Sequence, residues 1–149
     1  MIKIKTTSAE ETVEAGMKLG SLLKRGDIVC LSGSLGTGKT SFTNGIAKAL
    51  GIQGYITSPT FTIVNEYKGN IPLYHFDVYR IADPGEMFEI GFEEYIDAKG
   101  VVVIEWAELI AEILPKDVIR VKISKALQEG TDVRIIEIEG TELSTSQFR

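Results

Sequence analysis

A glycine-rich octapeptide at residues 33–40 has the residue types that bind phosphate. It reads Gly-Ser-Leu-Gly-Thr-Gly-Lys-Thr and fits the spacing G-x-x-x-x-G-K-[ST]. Gly33 and Gly38 let the backbone wrap closely around oxygen atoms, so that successive N–H groups point at anionic phosphate. Lys39 is placed to bridge the outer phosphates, and the Thr40 hydroxyl is placed to ligate Mg²⁺. Taken alone, this pattern predicts a site for something phosphorylated.

We expect the bound nucleotide to contact a continuous stretch that runs from the loop into the following helix. The expected contact residues are Ser34, Leu35, Gly36, Thr37, Gly38, Lys39, Thr40 and Ser41. An apolar run at residues 27–32 precedes the loop, and a helical pattern follows at residues 39–50. This strand–loop–helix order is the context that distinguishes a phosphate loop from a chance match.

Two carboxylates follow apolar runs elsewhere in the chain. Residues 73–76 end on Asp77, and residues 101–104 end on Glu105. If both strands run parallel to the strand before the loop, the two acids reach the edge of the sheet where ligands bind. One acid can then hold Mg²⁺ and the other can orient the attacking water, although either acid could instead be a solvated strand-end residue. We assign Glu105 with Thr40 to the metal, and Asp77 to the water or to the outer shell of the metal. The predicted catalytic residues are therefore Lys39, Asp77 and Glu105. The reverse assignment of the two acids stays open.

Four further residues are weaker candidates. His75 alternates onto the same strand face as Asp77, and we interpret it as a packed or hydrogen-bonded histidine in preference to a metal ligand. Arg80 either pairs with an acid or touches phosphate. Trp106 directly follows Glu105 and is either core, a partner contact or a lid. Thr60 lies in a segment where nucleotide switches keep a threonine that senses the terminal phosphate.

The remaining pattern predicts a three-layer α/β fold with a mixed central sheet flanked by helices. Ser8 and Glu11 have the spacing of a capping box, and the helix that follows is expected to turn Val13, Met17 and Leu22-Leu23 inward. Hairpins are predicted around residues 68–70 and 128–130, and an acidic helix is predicted from Asp83 toward residue 95. The length of 149 residues suits one P-loop domain over 1–149, with a loose tail at 141–149.

Composition narrows the class of protein. Hydrophobic residues make up 44% and charged residues 25%, as in a soluble globular protein. The absence of a signal-peptide pattern and of an apolar run near 20 residues favours a cytoplasmic protein without a membrane span, with Cys30 as a buried thiol. The net charge of −5 argues against unaided capture of nucleic acid.

These motifs, in this order, resemble the TsaE (also called YjeE) family of small P-loop ATPases. The resemblance covers nearly the whole chain and rests on residues 33–40, Ser58-Pro59-Thr60-Phe61-Thr62, His75-Phe76-Asp77-Val78-Tyr79-Arg80 with Asp83-Pro84, and Glu105-Trp106. The chain departs from the family pattern in three places. Ser34 stands where Asp is common, Thr37 where Ala is common, and Ala107 where Pro is frequent. The loss of an acid at Ser34 predicts an altered nucleotide affinity or hydrolysis rate.

The resemblance implies an ATP- and Mg²⁺-dependent hydrolase in the synthesis of threonylcarbamoyladenosine in tRNA. It implies the TsaB–TsaD heterodimer as partner, contact with tRNA only through that complex, and a role for Thr60, Arg80 and Trp106 in switching or partner contact. Two other functions stay open. A small-molecule kinase would need a cationic lid, which the five scattered arginines do not suggest. An interaction module gated by bound nucleotide would share the fold and differ in turnover.

Overall fold

A computed structural model of the chain describes residues 1–34, 36–57, 59, 63–140 and 142–148. Within these residues the strands form one seven-stranded sheet with the order β1-β7-β6-β2-β5-β4-β3. The strands are β1 Ile2–Thr6, β2 Ile28–Ser32, β3 Val64–Tyr67, β4 Leu73–Asp77, β5 Val101–Glu105, β6 Ile119–Lys125 and β7 Arg134–Glu139.

The centre of the sheet is parallel and its margins are antiparallel. β2 pairs in parallel with β5 and β6, and β4 pairs in parallel with β5. At one margin β7 pairs antiparallel with both β1 and β6, and at the other β3 forms an antiparallel hairpin with β4. All five residues of β5 are buried, as expected for a strand covered on both faces. The predicted mixed sheet and both predicted hairpins are therefore confirmed.

Helices α1 (Ala9–Gly20) and α2 (Lys39–Ala49) cover one face of the sheet. The predicted inward position of Met17 is wrong, because Met17 is 40% exposed, whereas Val13 is half-buried and Leu23 is buried as predicted. The buried residues of α1 are Thr12, Ala15, Gly16, Leu19 and Gly20. A Cβ on Gly16 would lie 2.1 Å from the Phe42 carbonyl oxygen, and one on Gly45 would lie 2.0 Å from the Val13 carbonyl oxygen. The two backbones approach so closely that small residues, and not the largest apolar ones, face the neighbouring helix.

The opposite face is covered by short elements. These are α3 (Glu86–Glu89), α4 (Phe92–Asp97) and the 3-10 segment Ala107–Ile113. The single acidic helix predicted from Asp83 is wrong, because Gly91 adopts φ +80° and separates α3 from α4. Asp83 Oδ1 accepts a hydrogen bond from the Gly85 N–H at 3.2 Å before the first helical turn. With helices on both faces, the predicted three-layer architecture is confirmed.

The C-terminal segment returns to the core. Residues Thr145–Phe148 form a 3-10 turn, and Phe148 is 8% exposed within the cluster that contains α1. Lys18 Nζ donates to the Phe148 carbonyl oxygen at 3.3 Å. Leu143 and Phe148 of the predicted loose tail thus pack against the core, whereas Glu142 and residues 144–147 are exposed. Among the helices of the described residues, none has the length and apolarity needed to cross a membrane.

Candidate phosphate-binding site

The glycine-rich loop connects β2 to α2 at the carboxyl end of the parallel strands. Gly33 has φ +144° and Gly38 has φ +102°, conformations that strongly favour glycine. Gly38 is also the N-cap of α2, and no side chain caps this helix end. The first N–H groups of α2 and the positive end of its dipole are therefore available to an anion in front of the loop.

Lys39 folds back across the loop. Its Nζ donates to the Gly33 carbonyl oxygen at 2.7 Å and lies 4.3 Å from the centre of the Trp106 ring. The side chain is 6% exposed as a residue, although it carries a charge. A carbonyl oxygen and an aromatic face thus hold the ammonium beside the loop.

The two predicted carboxylates do meet beside the loop. Asp77 and Glu105 are direct neighbours in the parallel register of β4 and β5. Glu105 is 3% exposed, and its Oε2 lies 2.7 Å from His75 Nε2. Asp77 is half-buried, and its Oδ1 accepts the Tyr79 N–H at 3.0 Å.

The environment of Asp77 affects its charge. Burial raises the pKa of the Asp77 carboxyl above its ordinary value, and the negative charge of Glu105 acts in the same direction. The Tyr79 N–H, His75 and Lys39 oppose this shift. Two carboxylates held this close are stabilised by a cation between or beside them.

Trp106 closes one side of the site. It adopts a left-handed conformation with φ +63°, which is uncommon for a residue other than glycine. Its ring lies 4.9 Å from the Tyr79 ring, centre to centre, and covers Lys39. The unusual backbone at the end of β5 is what turns the indole back over the lysine.

A cavity of about 500 Å³ contains most of the predicted site. Eight predicted residues line it, namely Gly36, Gly38, Lys39, Thr40, Ser41, Asp77, Glu105 and Trp106. Arg80 is exposed and does not appear in this lining. Leu35 and Thr60, predicted for nucleotide contact and for switching, lie outside the described residues.

Ser34 and Thr37 contact each other and are not part of the lining. The Thr37 hydroxyl donates to the Ser34 carbonyl oxygen at 2.9 Å, and Thr37 is 1% exposed. These are the two loop positions at which the chain departs from the loop it resembles. The hydroxyl that replaces an alanine methyl here is used to brace the loop internally.

Sequence reasoning missed Arg134, which lines the cavity at the start of β7. Its Nε donates to the Thr37 carbonyl oxygen at 2.9 Å, and a terminal nitrogen is 3.4 Å from the Gly36 carbonyl oxygen. The other terminal nitrogen donates to the Thr131 carbonyl oxygen at 2.8 Å. Arg134 thus ties the loop to the β6–β7 hairpin, and no local pattern around it signals that role.

The donor set fits a magnesium–phosphate ligand. Among the described residues, no group of three or more His, Cys, Asp or Glu side chains is placed to hold a metal ion. Mg²⁺ commonly takes only one or two protein oxygens and completes its shell with water and substrate phosphate. The Thr40 hydroxyl and one of the two carboxylates, which line the same cavity as Lys39, meet that need.

Comparisons with known proteins identify the family of the chain and agree with its fold. A family model described as "Threonylcarbamoyl adenosine biosynthesis protein TsaE" matches residues 6–134. A Bacillus subtilis protein named tRNA threonylcarbamoyladenosine biosynthesis protein TsaE is 44% identical over 136 residues, covering 91% of this chain and 83% of that protein. A Treponema pallidum protein of the same name is 45% identical over 123 residues, covering 83% of this chain and 90% of the relative. The crystal structure of YdiB from Bacillus subtilis superposes with a TM-score of 0.76 at 40% identity, over 93% of this chain and 84% of that one.

Proposed function

The chain belongs to the TsaE family, and from this premise we propose that it binds ATP with Mg²⁺ and hydrolyses it slowly. In this proposal, ATP binding and hydrolysis drive or reset the TsaB–TsaD complex that makes threonylcarbamoyladenosine in tRNA. One observation carries the ATPase part of the proposal. Lys39 and the start of α2, which no side chain caps, line the same cavity as Asp77 and Glu105.

The residues divide the work by their chemistry. The N–H groups of residues 36–41 and the Lys39 ammonium bind the phosphates, and the Thr40 hydroxyl with Glu105 holds Mg²⁺. When bound there, Mg²⁺ would supply positive charge beside the phosphoryl group during transfer. Asp77 orients the attacking water, since it is the more accessible of the two acids. The reverse assignment of the acids would use the same atoms.

Slow hydrolysis by the isolated protein follows from the arginines. Phosphoryl transfer is accelerated strongly when an arginine stabilises the developing charge. Arg134 lines the cavity, but its guanidinium is committed to carbonyl oxygens of the loop and of residue 131. A partner that contributes a cation or reshapes this side of the cavity would therefore raise the rate.

The test is ATP turnover measured with and without the TsaB–TsaD heterodimer. We expect slow turnover alone and an increase of about tenfold or more with the partners; a supplied arginine could raise kcat by about 10³-fold or more. Turnover that ignores the partners would contradict the proposed coupling. A γ-phosphate recovered on a metabolite would indicate a kinase, and nucleotide-dependent docking without turnover would indicate a gated interaction module.

A pull-down separates the partner claim from the catalytic claim. The immobilised protein is offered TsaB–TsaD in the presence of ATP, ADP or neither. We expect capture to depend on which nucleotide is bound, because the loop and Trp106 lie at the same cavity. Equal capture under all three conditions would remove nucleotide control from the proposal.

A further inference from the structure

His75 occupies an unusual place for a polar side chain. It lies in the middle of β4, two residues before Asp77 and on the same face of the sheet. It is fully buried, and its Nε2 is 2.7 Å from Glu105 Oε2 on the neighbouring strand. In the parallel register His75 is opposite Val103, so Glu105 is its diagonal neighbour on that face.

The second ring nitrogen identifies the direction of this hydrogen bond. Nδ1 of His75 is buried without a hydrogen-bond partner among the described residues. A neutral imidazole with its hydrogen on Nε2 donates to the Glu105 carboxylate and leaves only a lone pair at Nδ1. The other tautomer would bury an N–H donor without a partner, which costs more free energy.

Packing alone does not account for this residue. An apolar side chain at this position would avoid the unpaired Nδ1 and would pack against the same buried neighbours. What an apolar side chain lacks is a hydrogen-bond donor for the Glu105 carboxylate, and such a donor restricts the rotamers of a flexible glutamate side chain. The imidazole therefore contributes its Nε2–H donor to Glu105, which an apolar side chain could not supply.

We propose that His75 is a positioning residue that holds the Glu105 carboxylate in the orientation required for ATP hydrolysis. The inference rests on the proposed function and adds a residue to it. His75 touches neither phosphate nor water in this proposal and acts only through Glu105. It serves equally whether Glu105 holds Mg²⁺ or orients water, because both roles need a fixed carboxylate.

Two isosteric amides test the geometry. In His75→Gln the amide nitrogen reaches the position of Nε2, whereas in His75→Asn it reaches only that of Nδ1. With TsaB–TsaD present, we expect kcat within about threefold of wild type for His75→Gln and a loss of about tenfold or more for His75→Asn. The KM for ATP should change by less than about twofold in both variants, because Glu105 keeps its charge and only the orientation of its carboxylate is loosened. Melting curves of the two variants give the fraction of folded protein, by which each kcat is corrected.

The outcomes separate this inference from the proposed function. Equal loss of kcat in both variants, no loss in either, or an effect confined to KM would overturn the positioning role while leaving ATP hydrolysis in place. Absence of turnover in the wild type would remove both the proposed function and the role of His75 within it.

A spectroscopic measurement tests the contact itself without any need for turnover. The chain has one histidine, so a spectrum of protein labelled with ¹⁵N-histidine reports on His75 alone. We expect the Nε2–H tautomer, with a proton signal that moves toward that of a weaker hydrogen bond in Glu105→Gln, since a neutral acceptor replaces a charged one. An Nδ1–H tautomer, or a spectrum unchanged by Glu105→Gln, would overturn the inference.

Discussion

The cavity has two walls that are built in different ways. The loop wall, residues 33–41 with Arg134, presents backbone N–H groups and one ammonium, and backbone carbonyls hold it in place. The acid wall, His75 with Asp77 and Glu105, presents side chains whose positions come from the pairing of β4 with β5. The loop wall is continuous in sequence apart from its arginine, whereas the contact at the heart of the acid wall joins residues 30 positions apart.

This difference predicts a division of labour. Backbone N–H groups and an ammonium attract an anion in any state of the reaction, so the loop wall should determine nucleotide affinity. Carboxylates repel phosphate and act through Mg²⁺ or water, so the acid wall should determine the rate of hydrolysis. Variants of each wall should therefore alter different kinetic constants.

The largest effect is expected at the acid wall. Glu105→Gln keeps the size of a side chain that is 3% exposed and can still accept from His75, but it removes the charge. We expect ATP turnover to fall about 1,000-fold, whereas the affinity for ATP measured without Mg²⁺ stays within about threefold, because Glu105 acts on the nucleotide only through Mg²⁺ or water. Glu105→Ala is less informative, because it would leave the buried His75 Nε2–H without an acceptor.

Glu108→Gln is the matched control, because Glu108 follows on an exposed turn outside the cavity lining. It should leave both turnover and affinity unchanged. Wild-type turnover in Glu105→Gln would remove Glu105 from the mechanism and blur the distinction between the two walls.

The next largest effect is expected at the loop wall. Lys39→Ala removes the ammonium that lies between the Gly33 carbonyl and Trp106. We expect ATP affinity to fall about 100-fold, because charge-assisted hydrogen bonds to more than one phosphate oxygen are lost. Binding is measured by titration of a fluorescent ATP analogue. Lys48→Ala, at the exposed far end of α2, is the control; equal affinities for the two variants would contradict the assigned role of Lys39.

A smaller effect is expected at Arg134, because its guanidinium supports the loop through hydrogen bonds to backbone carbonyls. Arg134→Ala removes the hydrogen bonds to the Gly36 and Thr37 carbonyls. We expect ATP affinity to fall about tenfold, because the loop must then be ordered at the expense of binding free energy. Arg25→Ala is the control, since the Arg25 guanidinium donates to the carbonyls of Lys99 and Asn70, neither of which lines the cavity. Were both variants to bind ATP normally, the loop wall would need no tether.

The smallest effect is expected from Cys30, which is buried on β2, the strand that leads into the loop. Burial raises the pKa of the Cys30 thiol on β2 from 9.0 to about 11. The unfolded chain therefore loses this proton at lower pH than the folded protein, and unfolding becomes easier as pH rises through 9. Between pH 8 and about 9.5 we expect the free energy of unfolding to fall by about 0.8 kcal/mol more in wild type than in Cys30→Ala. The free energy of unfolding of both proteins is measured by chemical denaturation at each pH. The same pH dependence in wild type and in Cys30→Ala would show that burial does not raise the pKa of Cys30.

Much of the site could be predicted because its parts are short sequence patterns. The loop spacing predicted a strand, a glycine-rich turn and a helix, and each of these is present. The placement of Asp77 and Glu105 at the ends of apolar runs predicted their meeting, since parallel strands end at one edge of a sheet. Cys30 was also predicted to be buried, and its thiol is.

Other features could not be predicted because they depend on which elements meet. Val13 and Met17 were expected inside, but the close approach of α1 to α2 buries Gly16 and leaves Met17 exposed. Gly91 divides an expected helix because its φ is +80°, a backbone state that residue type permits but does not require. Phe148 is packed against α1 although its segment reads as a tail.

The sequence by itself determined which chemical groups are available, namely a phosphate loop and two acids at strand ends, and it showed the resemblance to one family. Only the tertiary structure decided which partners hold those groups, because hydrogen bonds such as His75 to Glu105 and Arg134 to Thr37 join residues from separate strands and loops. A local pattern can specify that a carboxylate or a loop is present. Its orientation depends on strand register and on packing between distant segments, which only the folded chain brings together.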